Sequence, residues 1–157
     1  MEIPLTQSKH AIIDEADYEL ISKYSWYAIK KCNNWYAQTY VSGKCSKMMY
    51  MHRLLCGDRC NGRQVDHKNH NGLDNRRVNI RICGPRENQC NQIPRKGQSK
   101  YKGVGKHCGK WRARIMNKGE EIYIGHFETE EEAALAYNNA ALKYFGEFAC
   151  LNQIRGE

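Results

Sequence analysis

The chain has 157 residues, with 25 Lys and Arg against 17 Asp and Glu, and a formal net charge of +8 at pH 7. That length suits one domain or two small ones, and the charge together with 41% hydrophobic residues excludes an acidic disordered chain and a chain too apolar to stay in solution. Apolar runs such as residues 47–55 are far shorter than the roughly 20 residues that span a bilayer, so we expect no membrane partner.

The N-terminal sequence MEIPLTQSKH does not resemble a secretory signal, because no basic start is followed by an apolar stretch. We therefore expect an intracellular, cytoplasmic and reducing location. The eight cysteines should be reduced thiols or metal ligands there.

The basic side chains are unevenly distributed. Residues 63–100 hold nine basic and three acidic side chains, whereas residues 1–62 and residues 101–157 are close to balance. Six of the last eight basic residues lie between Lys102 and Lys118 with no acid among them. Two consecutive basic blocks favour a polyanionic partner, and a solvated surface is the alternative.

The N-terminal third predicts short strands. Residues 11–55 are rich in Tyr, Trp, Ile and Met, with turn signals at residues 32–34 and 42–44. Residues 14–24 could form one short helix before these strands. The pattern indicates a β-rich N-terminal segment.

The middle of the chain predicts polar loops followed by a linker. Residues 62–92 are crowded with Asn, Asp, Gly, Arg and His, a composition typical of turns and polar sites. Residues 93–100 (IPRKGQSK) combine Pro, Gly and Ser with three basic residues, so we place a basic linker there. The predicted domains are therefore residues 1–92 and 101–157.

The last third predicts a small antiparallel sheet. Residues 110–116 alternate with period two, which puts Lys110, Arg112 and Arg114 on an outward face. Residues 117–119 predict a hairpin turn, and residues 121–125 predict the returning strand, on which Tyr123 shares the basic face.

A helix should follow this sheet. Thr129 and Glu132 have the spacing of a capping box, and Gly146 is placed to end the helix. Apolar residues between them recur every three or four positions. The predicted fold class is α+β, with a three-stranded antiparallel sheet packed on one helix at the C-terminal end.

Residues 65–91 carry the chemistry. A buried core would not choose this composition of Asp, His, Asn, Gly and Arg. The spacing fits two short strands and a helix that converge, with Asp66 and His67 on the first strand, Asn79 near the second and Asn88 on a helix over residues 85–92.

This stretch resembles the HNH nuclease family in Asp66-His67, in the run NGLDNRRVNIR that contains Asn79, and in Glu87-Asn88. The flank Met51-His52-Arg53 is similar to phage and intron-encoded homing members. The resemblance implies a ββα-metal motif over about residues 63–92. It makes His67 the general base, Asp66 and Asn88 the metal ligands, and Asn79 the residue that holds the loop and orients the histidine.

The chemistry of phosphodiester hydrolysis also asks for these residue types. Oxygen ligands hold a hard divalent ion, Mg²⁺ or Mn²⁺, that neutralises developing charge, and an imidazole accepts the proton of the attacking water. Neighbours on a strand face opposite ways, so Asp66 and His67 share a site only if a loop begins at His67. His70 ranks second as the base, and we interpret His52 as a hydrogen-bonded structural histidine.

Four cysteines flank the site, and a structural zinc is the alternative to free thiols. Cys56 and Cys60 have three intervening residues, as zinc knuckles do, whereas Cys83 and Cys90 have six. This spacing argues against zinc.

The run from Tyr101 to Asn152 resembles the plant Apetala/ethylene-response-factor DNA-binding domain. The matching elements are Tyr101–Val104, Gly109–Trp111, Ile124–Phe127, Glu131–Tyr137 and Leu151-Asn152. The resemblance implies a three-stranded sheet in the major groove, with base or phosphate contacts from Lys110, Arg112, Arg114 and Tyr123. Lys102 and Lys106 are the expected phosphate binders. Gly105 stands where relatives carry a base-reading Arg, so a sequence preference does not transfer.

Together these patterns predict a metal-dependent DNA endonuclease of the homing type that binds double-stranded DNA and nicks it at specific sites. Alternatives are a non-catalytic DNA-binding regulator and an RNase or junction nuclease. One site per chain favours a nicking monomer, and a dimer is the route to a double-strand break.

Overall fold

The protein is described here by a computed structural model, over residues 1–41, 47–93 and 98–154. The chain divides into two compact units, Met1–Asn88 and Gln89–Glu157. The predicted domain limits at residues 92 and 101 stay predictions. Residues 94–97 of the expected linker and the expected turn at 42–44 lie outside the described residues.

The first unit combines small antiparallel sheets with short helices. Its strands are β1 Glu2–Pro4, β2 His10–Ile12, β3 Tyr27–Lys31, β4 Asn34–Val41, β5 Lys47–Tyr50, β6 Gln64–His67 and β7 Ile80–Cys83. Its helices are α1 Tyr18–Ile21 and α2 Met51–Cys56, and α3 Pro85–Cys90 begins in this unit. β1 pairs with β2, the order of the central sheet is β3-β4-β5, and β6 pairs with β7, all antiparallel.

The core of the first unit is formed by apolar side chains that its strands and helices contribute. They are Ile3, Ala11, Ile13, Ile21, Trp26, Ala37, Met51 and Leu55. Ile80 of β7 packs against this cluster from its edge. The core therefore holds the β6–β7 pair, which carries Asp66 and His67, against the rest of the unit.

The helix expected over residues 14–24 is shorter in the structure. A 3-10 turn at Glu15–Asp17 leads into α1, which ends at Ile21. The indole Nε1 of Trp26 donates to the Ile21 carbonyl at 2.9 Å, so the buried tryptophan caps the helix end. Strand β3 follows and starts at Tyr27.

The second unit is a three-stranded sheet with one long helix. Its elements are β8 Val104–His107, β9 Lys110–Asn117, β10 Glu120–Phe127 and α4 Glu130–Phe145, and the strand order is β10-β9-β8. Ile115 of β9 packs with Tyr137 and Ala141 of α4 in a separate small core. This arrangement confirms the α+β class and the small sheets expected from the sequence.

The local signals of the second unit are satisfied. Lys118 and Gly119 both have positive φ (55° and 85°), as the two-residue hairpin turn between β9 and β10 requires. Thr129 and Glu132 form both hydrogen bonds of the capping box, and the Gly146 N–H donates to the Leu142 carbonyl at the helix end.

Gly103 permits the closest backbone approach in this unit. Its φ is +74°, and a Cβ there would lie 2.1 Å from the Tyr137 ring and 2.5 Å from the Arg114 carbonyl oxygen. Only glycine fits this position, which fixes the start of β8 against α4.

Candidate functional site

The β6–β7 pair brings the first two predicted site residues to the mouth of a loop. Asp66 is opposite Arg81, and His67 is opposite Ile80. β6 ends at His67, and residues 68–79 form the loop that leads to β7. The loop was expected to begin at His67, but His67 is still part of β6, so the loop begins one residue later at Lys68 and Asp66 and His67 alternate in direction on the ribbon.

Asn79 braces this loop with both ends of its side chain. Its Oδ1 accepts from the Asn69 backbone N–H at 3.0 Å, and its Nδ2 donates to the Asp74 carbonyl at 2.7 Å. Its backbone carbonyl also accepts from the Lys68 N–H at 2.9 Å. Asn79 is 6% exposed, so these bonds form in a buried setting, where losing one is costly.

Asp74 organises the middle of the loop. Its carboxylate accepts from Asn69 Nδ2 at 2.8 Å and from two nitrogens of the Arg76 guanidinium at 2.8 and 2.7 Å. The bonds from Arg76 hold the pKa of Asp74 below its ordinary value. The loop is thus stabilised by an ion pair between two of its own residues, Asp74 and Arg76.

Two elements of the first unit anchor the loop. The Asn75 N–H donates to the Ile12 carbonyl at 2.7 Å, which ties the loop to β2. The Asn34 side chain donates to the His70 carbonyl at 2.7 Å and accepts from the Gly72 N–H at 3.3 Å, which ties it to β4. His67 is therefore followed by a braced loop and not by a loose one.

The hydrogen bond of the His67 ring identifies its tautomer. His67 Nε2 lies 3.3 Å from Asn75 Oδ1, and the Asn75 Nδ2 donates to the Leu73 carbonyl at 3.2 Å. Because Asn75 has its amide nitrogen turned to Leu73, it presents its oxygen to His67, and Nε2 must carry the hydrogen. The lone pair of neutral His67 is then on Nδ1.

Aromatic rings pack against His67. The His67 and His52 ring centroids are 5.0 Å apart with planes at 89°, and the Tyr36 ring lies at 6.0 Å. Burial lowers the pKa of His67, although its bond to Asn75 acts in the opposite direction. His67 is therefore neutral, and able to accept a proton, at neutral pH.

Asp66 is paired with Arg81 across the strands. The Arg81 Nε and Nη2 donate to Asp66 Oδ2 at 3.0 and 2.8 Å, and both side chains are about nine-tenths buried. Such a pair balances a carboxylate that would otherwise be expensive to bury. A divalent ion at Asp66 would share this carboxylate with a guanidinium.

Asn88 lies on α3 and contacts β6. Its Nδ2 donates to the Gln64 Oε1 at 2.7 Å, and Gln64 shares a strand face with Asp66. The amide oxygen of Asn88 is the atom turned away from Gln64. A carboxylate and an amide oxygen are the hard donors that Mg²⁺ and Mn²⁺ accept, so this donor set fits such an ion.

The described ranges contain no group of three or more His, Cys, Asp or Glu side chains that could hold a metal ion. An ion held by Asp66 and Asn88 alone would have its other coordination positions open to water and phosphate oxygens. No helix in the described part of the chain is long and apolar enough to cross a membrane.

Three cysteines of the first unit, Cys56, Cys60 and Cys83, are buried as free thiols. Burial raises the pKa of Cys83 to about 11 and also raises that of Cys56. The Cys60 Sγ donates to the Gly57 carbonyl at 3.1 Å. Zinc binds cysteine as the thiolate, whereas these buried environments favour the thiol, so they do not favour a zinc site.

The open face of the second unit presents the predicted DNA-contact residues. Along β9, Lys110 and Arg114 are exposed and Arg112 is half-buried, while Ala113 and Ile115 are buried beneath them. Tyr123 of β10 pairs in register with Arg114 and is 57% exposed. The four side chains therefore belong to one surface, which we call the β9 face.

Carboxylates already pair with two cations of the β9 face. Lys110 Nζ lies 2.6 Å from Glu128, and Arg114 pairs with Glu121. These exposed ion pairs are worth little in water, so phosphate oxygens can replace the carboxylates.

The two lysines expected to bind phosphate differ. Lys106 is exposed, with its Nζ 5.2 Å from the centroid of the Trp111 ring. Lys102 is half-buried, and its Nζ donates to the Cys90 and Gln92 carbonyls at 2.7 Å each, while burial lowers its pKa. Its ammonium is thus engaged by two backbone carbonyls, which argues against a phosphate contact, and the expected role of Lys102 stays a prediction.

Sequence reasoning gave no part in the site to Asn75 and Arg81, treated His52 as a structural residue only, and assigned no contact within the protein to two histidines beside the β9 face. Asn75 is fully buried against His67, Arg81 holds Asp66, and His52 packs on His67. His107 and His126 stack at 5.3 Å, and the Tyr123 hydroxyl lies 2.8 Å from His126 Nδ1. Arg81 is opposite Asp66 on the paired strands, and the alternation of the strand that contains it can be read from the sequence. The contacts of the other four residues depend on loop closure or strand register, which the sequence does not show.

Comparison with known proteins identifies the class. The chain is 33% identical to an uncharacterised HNH endonuclease of Acanthamoeba polyphaga mimivirus over 146 aligned residues. The aligned region covers 92% of this chain and 75% of that protein. The chain belongs to the HNH endonuclease family. No family model matches it.

A second group of relatives consists of plant transcription factors. The chain is 38% identical over 66 residues to the AP2-like ethylene-responsive transcription factor TOE2 of Arabidopsis thaliana, which is 41% of this chain and 14% of that protein. It is 46% identical over 61 residues to the APETALA2-like protein 2 of Oryza sativa subsp. indica, which is 36% of this chain and 14% of that protein. The chain thus spans only about one seventh of these plant proteins.

Proposed function

We propose that this chain is a metal-dependent DNA endonuclease of the homing type, which hydrolyses one strand of a duplex at specific sites. The observation that carries the proposal is the braced loop after β6, which leaves a neutral histidine at its mouth with a defined tautomer. The family supports nuclease activity, and the plant relatives support DNA binding.

In this proposal His67 is the general base. Its Nδ1 accepts the proton of the attacking water, while Nε2–H stays bonded to Asn75. Burial keeps the ring neutral before the reaction. Asn79 does not need to touch the ring, because its task is to hold the loop that fixes Asn75 and His67.

Asp66 and Asn88 are the proposed ligands of one divalent ion, Mg²⁺ or Mn²⁺. When bound, such an ion neutralises charge on the phosphate and stabilises the leaving oxygen. Arg81 restrains Asp66 in a single orientation. The Gln64 contact restrains Asn88 and leaves its amide oxygen as the donor.

The β9 face is the proposed DNA-contact surface. Lys110, Arg112, Arg114 and Tyr123 would reach bases and phosphates, with Lys106 as an additional phosphate contact. We leave Lys102 out of this set because its ammonium bonds to backbone carbonyls. One nuclease site per chain is consistent with a nicking monomer.

The experiment that tests the proposal is nicking of supercoiled plasmids that carry random inserts, with Mg²⁺, Mn²⁺ or no divalent ion. We expect open circles only with a divalent ion. His67→Ala should lower the nicking rate about 100-fold or more, because general base catalysis contributes roughly 10²–10⁴-fold, while DNA binding in a gel-shift assay persists.

His70→Asn is the matched control, since asparagine tolerates the positive φ of 62° at this position. This variant should nick at the wild-type rate. If His70→Asn abolished nicking and His67→Ala did not, the assignment of the base would be wrong.

A non-catalytic DNA-binding regulator is the second candidate. The buried Asp66–Arg81 pair favours it, because a carboxylate already balanced by a guanidinium needs no metal ion. A wild-type protein that shifts plasmid DNA but nicks none of the pool with any divalent ion would support this function.

A further inference from the structure

His52 is the second histidine of the nuclease region, and the predicted chemistry gave it no task. It lies in the first turn of α2 and is 8% exposed. Its ring stacks on Tyr50 at 5.3 Å with an interplanar angle of 11°, and it meets the His67 ring edge to face at 5.0 Å. Tyr36 completes the enclosure, with ring centroids 6.0 Å from both histidines.

A structural role does not explain why this residue is a histidine. The His52 Nδ1 is fully buried and has no hydrogen-bond partner within the described part of the chain. An unsatisfied buried polar atom costs about 1–3 kcal/mol, which an apolar ring in the same aromatic cluster would avoid. The expectation of a hydrogen-bonded structural histidine is therefore wrong for Nδ1.

The contact with His52 restrains the plane of the His67 ring. The bond from His67 Nε2 to Asn75 Oδ1 is 3.3 Å long, and a bond of this length fixes a point on the ring and not its plane. The edge-to-face contact with His52, at 5.0 Å between ring centroids, limits rotation about the axis through Nε2. A phenyl ring is larger than an imidazole, so in this enclosed aromatic cluster it would overpack the site and shift the His67 ring.

We propose that His52 is a positioning residue for His67, which holds the plane of the imidazole so that Nδ1 faces the attacking water. This inference rests on the proposed nuclease function. Burial also lowers the pKa of His52 to about 3, so the ring beside His67 is neutral at working pH. The restraint therefore brings no positive charge toward a base that must accept a proton.

The test compares His52→Ala and His52→Phe with the wild type in single-turnover nicking of the plasmid that is cut fastest. We expect the single-turnover rate at saturating protein to fall roughly 10- to 100-fold in both variants, because small misplacements of a reacting group cost about this much. The half-saturating protein concentration should not change. Free imidazole should restore part of the rate in His52→Ala, which has a vacated space, and none in His52→Phe.

A second measurement reads the His67 ring without using activity. Long-range ¹H–¹⁵N spectra show which ring nitrogen carries the hydrogen, and we expect one His67 tautomer, Nε2–H, in the wild type and a mixture in His52→Ala. His10→Ala is the control, because it removes an exposed imidazole on β2. It should change neither the rate nor the His67 signals.

The outcomes separate the two claims. Absence of nicking by the wild type contradicts the proposed function, while the spectra still test the positioning. Unchanged His67 signals in His52→Ala, or an unchanged rate in an active protein, would overturn the role of His52. If thermal unfolding shows that His52→Ala does not fold, His52→Gln takes its place in the spectral comparison with the same expectation.

Discussion

The two neighbouring histidines of the nuclease unit make its stability depend on pH. Burial lowers the pKa of His52 to about 3 and also lowers that of His67, whereas both titrate near 6.5 in an unfolded chain. Below pH 6.5 the unfolded chain therefore binds protons that the folded chain does not. The stability that these rings contribute is complete above about pH 6.5 and decreases as the pH falls toward the folded-state values.

We expect the midpoint of thermal unfolding to fall as the pH is lowered from 7 to 5, a range that stays above the titration of ordinary carboxylates. The dependence should be weaker in His52→Gln, because this variant lacks the more strongly shifted imidazole. Circular dichroism melts at pH 7, 6 and 5 would measure it, with His10→Gln as the exposed control. Equal slopes in His52→Gln and the wild type would contradict the linkage.

At the scale of single elements, strand β9 should decide DNA affinity. Its exposed cations release counterions when they bind phosphates, so each lost contact should lower the slope of log affinity against log salt by about 0.9. We expect Arg112→Ala and Arg114→Ala to weaken binding and flatten this slope between about 50 and 200 mM salt. Fluorescence anisotropy with a labelled duplex would measure both quantities.

Lys118→Ala is the matched control, since this exposed cation lies in the hairpin turn at the end of β9 and not on the β9 face. It should change the slope less than either arginine variant. Binding of the divalent ion should be the same in all three variants. An affinity that does not depend on salt, or a loss of ion binding together with DNA binding, would refute the assignment of β9.

The helices, strands and turns also show which features of the fold can be predicted from the sequence alone. The turn at Lys118-Gly119 and the capping box of Thr129 are local, because each is decided by residues within three positions. The contacts of Lys102 could not be predicted from its neighbours, since the carbonyls that accept hydrogen bonds from its ammonium lie ten and twelve residues earlier in the chain. Asn75 and His52 reach His67 only after the loop closes and α2 packs, so no spacing rule indicates them.

At the scale of the whole molecule, each unit has its own hydrophobic core. The core of the first unit includes Ile21 and Met51, and that of the second includes Ile115 and Tyr137. The proposed chemistry and the proposed DNA contacts thus depend on different folded cores. A nuclease-site variant such as His67→Ala should therefore retain the β9 face, which is why DNA binding is an informative control for lost cleavage.

The Asp66–Arg81 pair has a consequence for how the molecule responds to chelators. Small metalloproteins whose ligands have no other partner unfold when the ion is removed. Here a guanidinium from the same chain already neutralises the carboxylate, so we expect EDTA to stop nicking while the thermal midpoint stays within about 1 °C. A large drop on chelation, followed by differential scanning calorimetry, would contradict this expectation. The folded chain therefore supplies its own counter-ion, and under the proposed function we expect loading with magnesium or manganese to be a reversible on-switch that leaves the architecture intact.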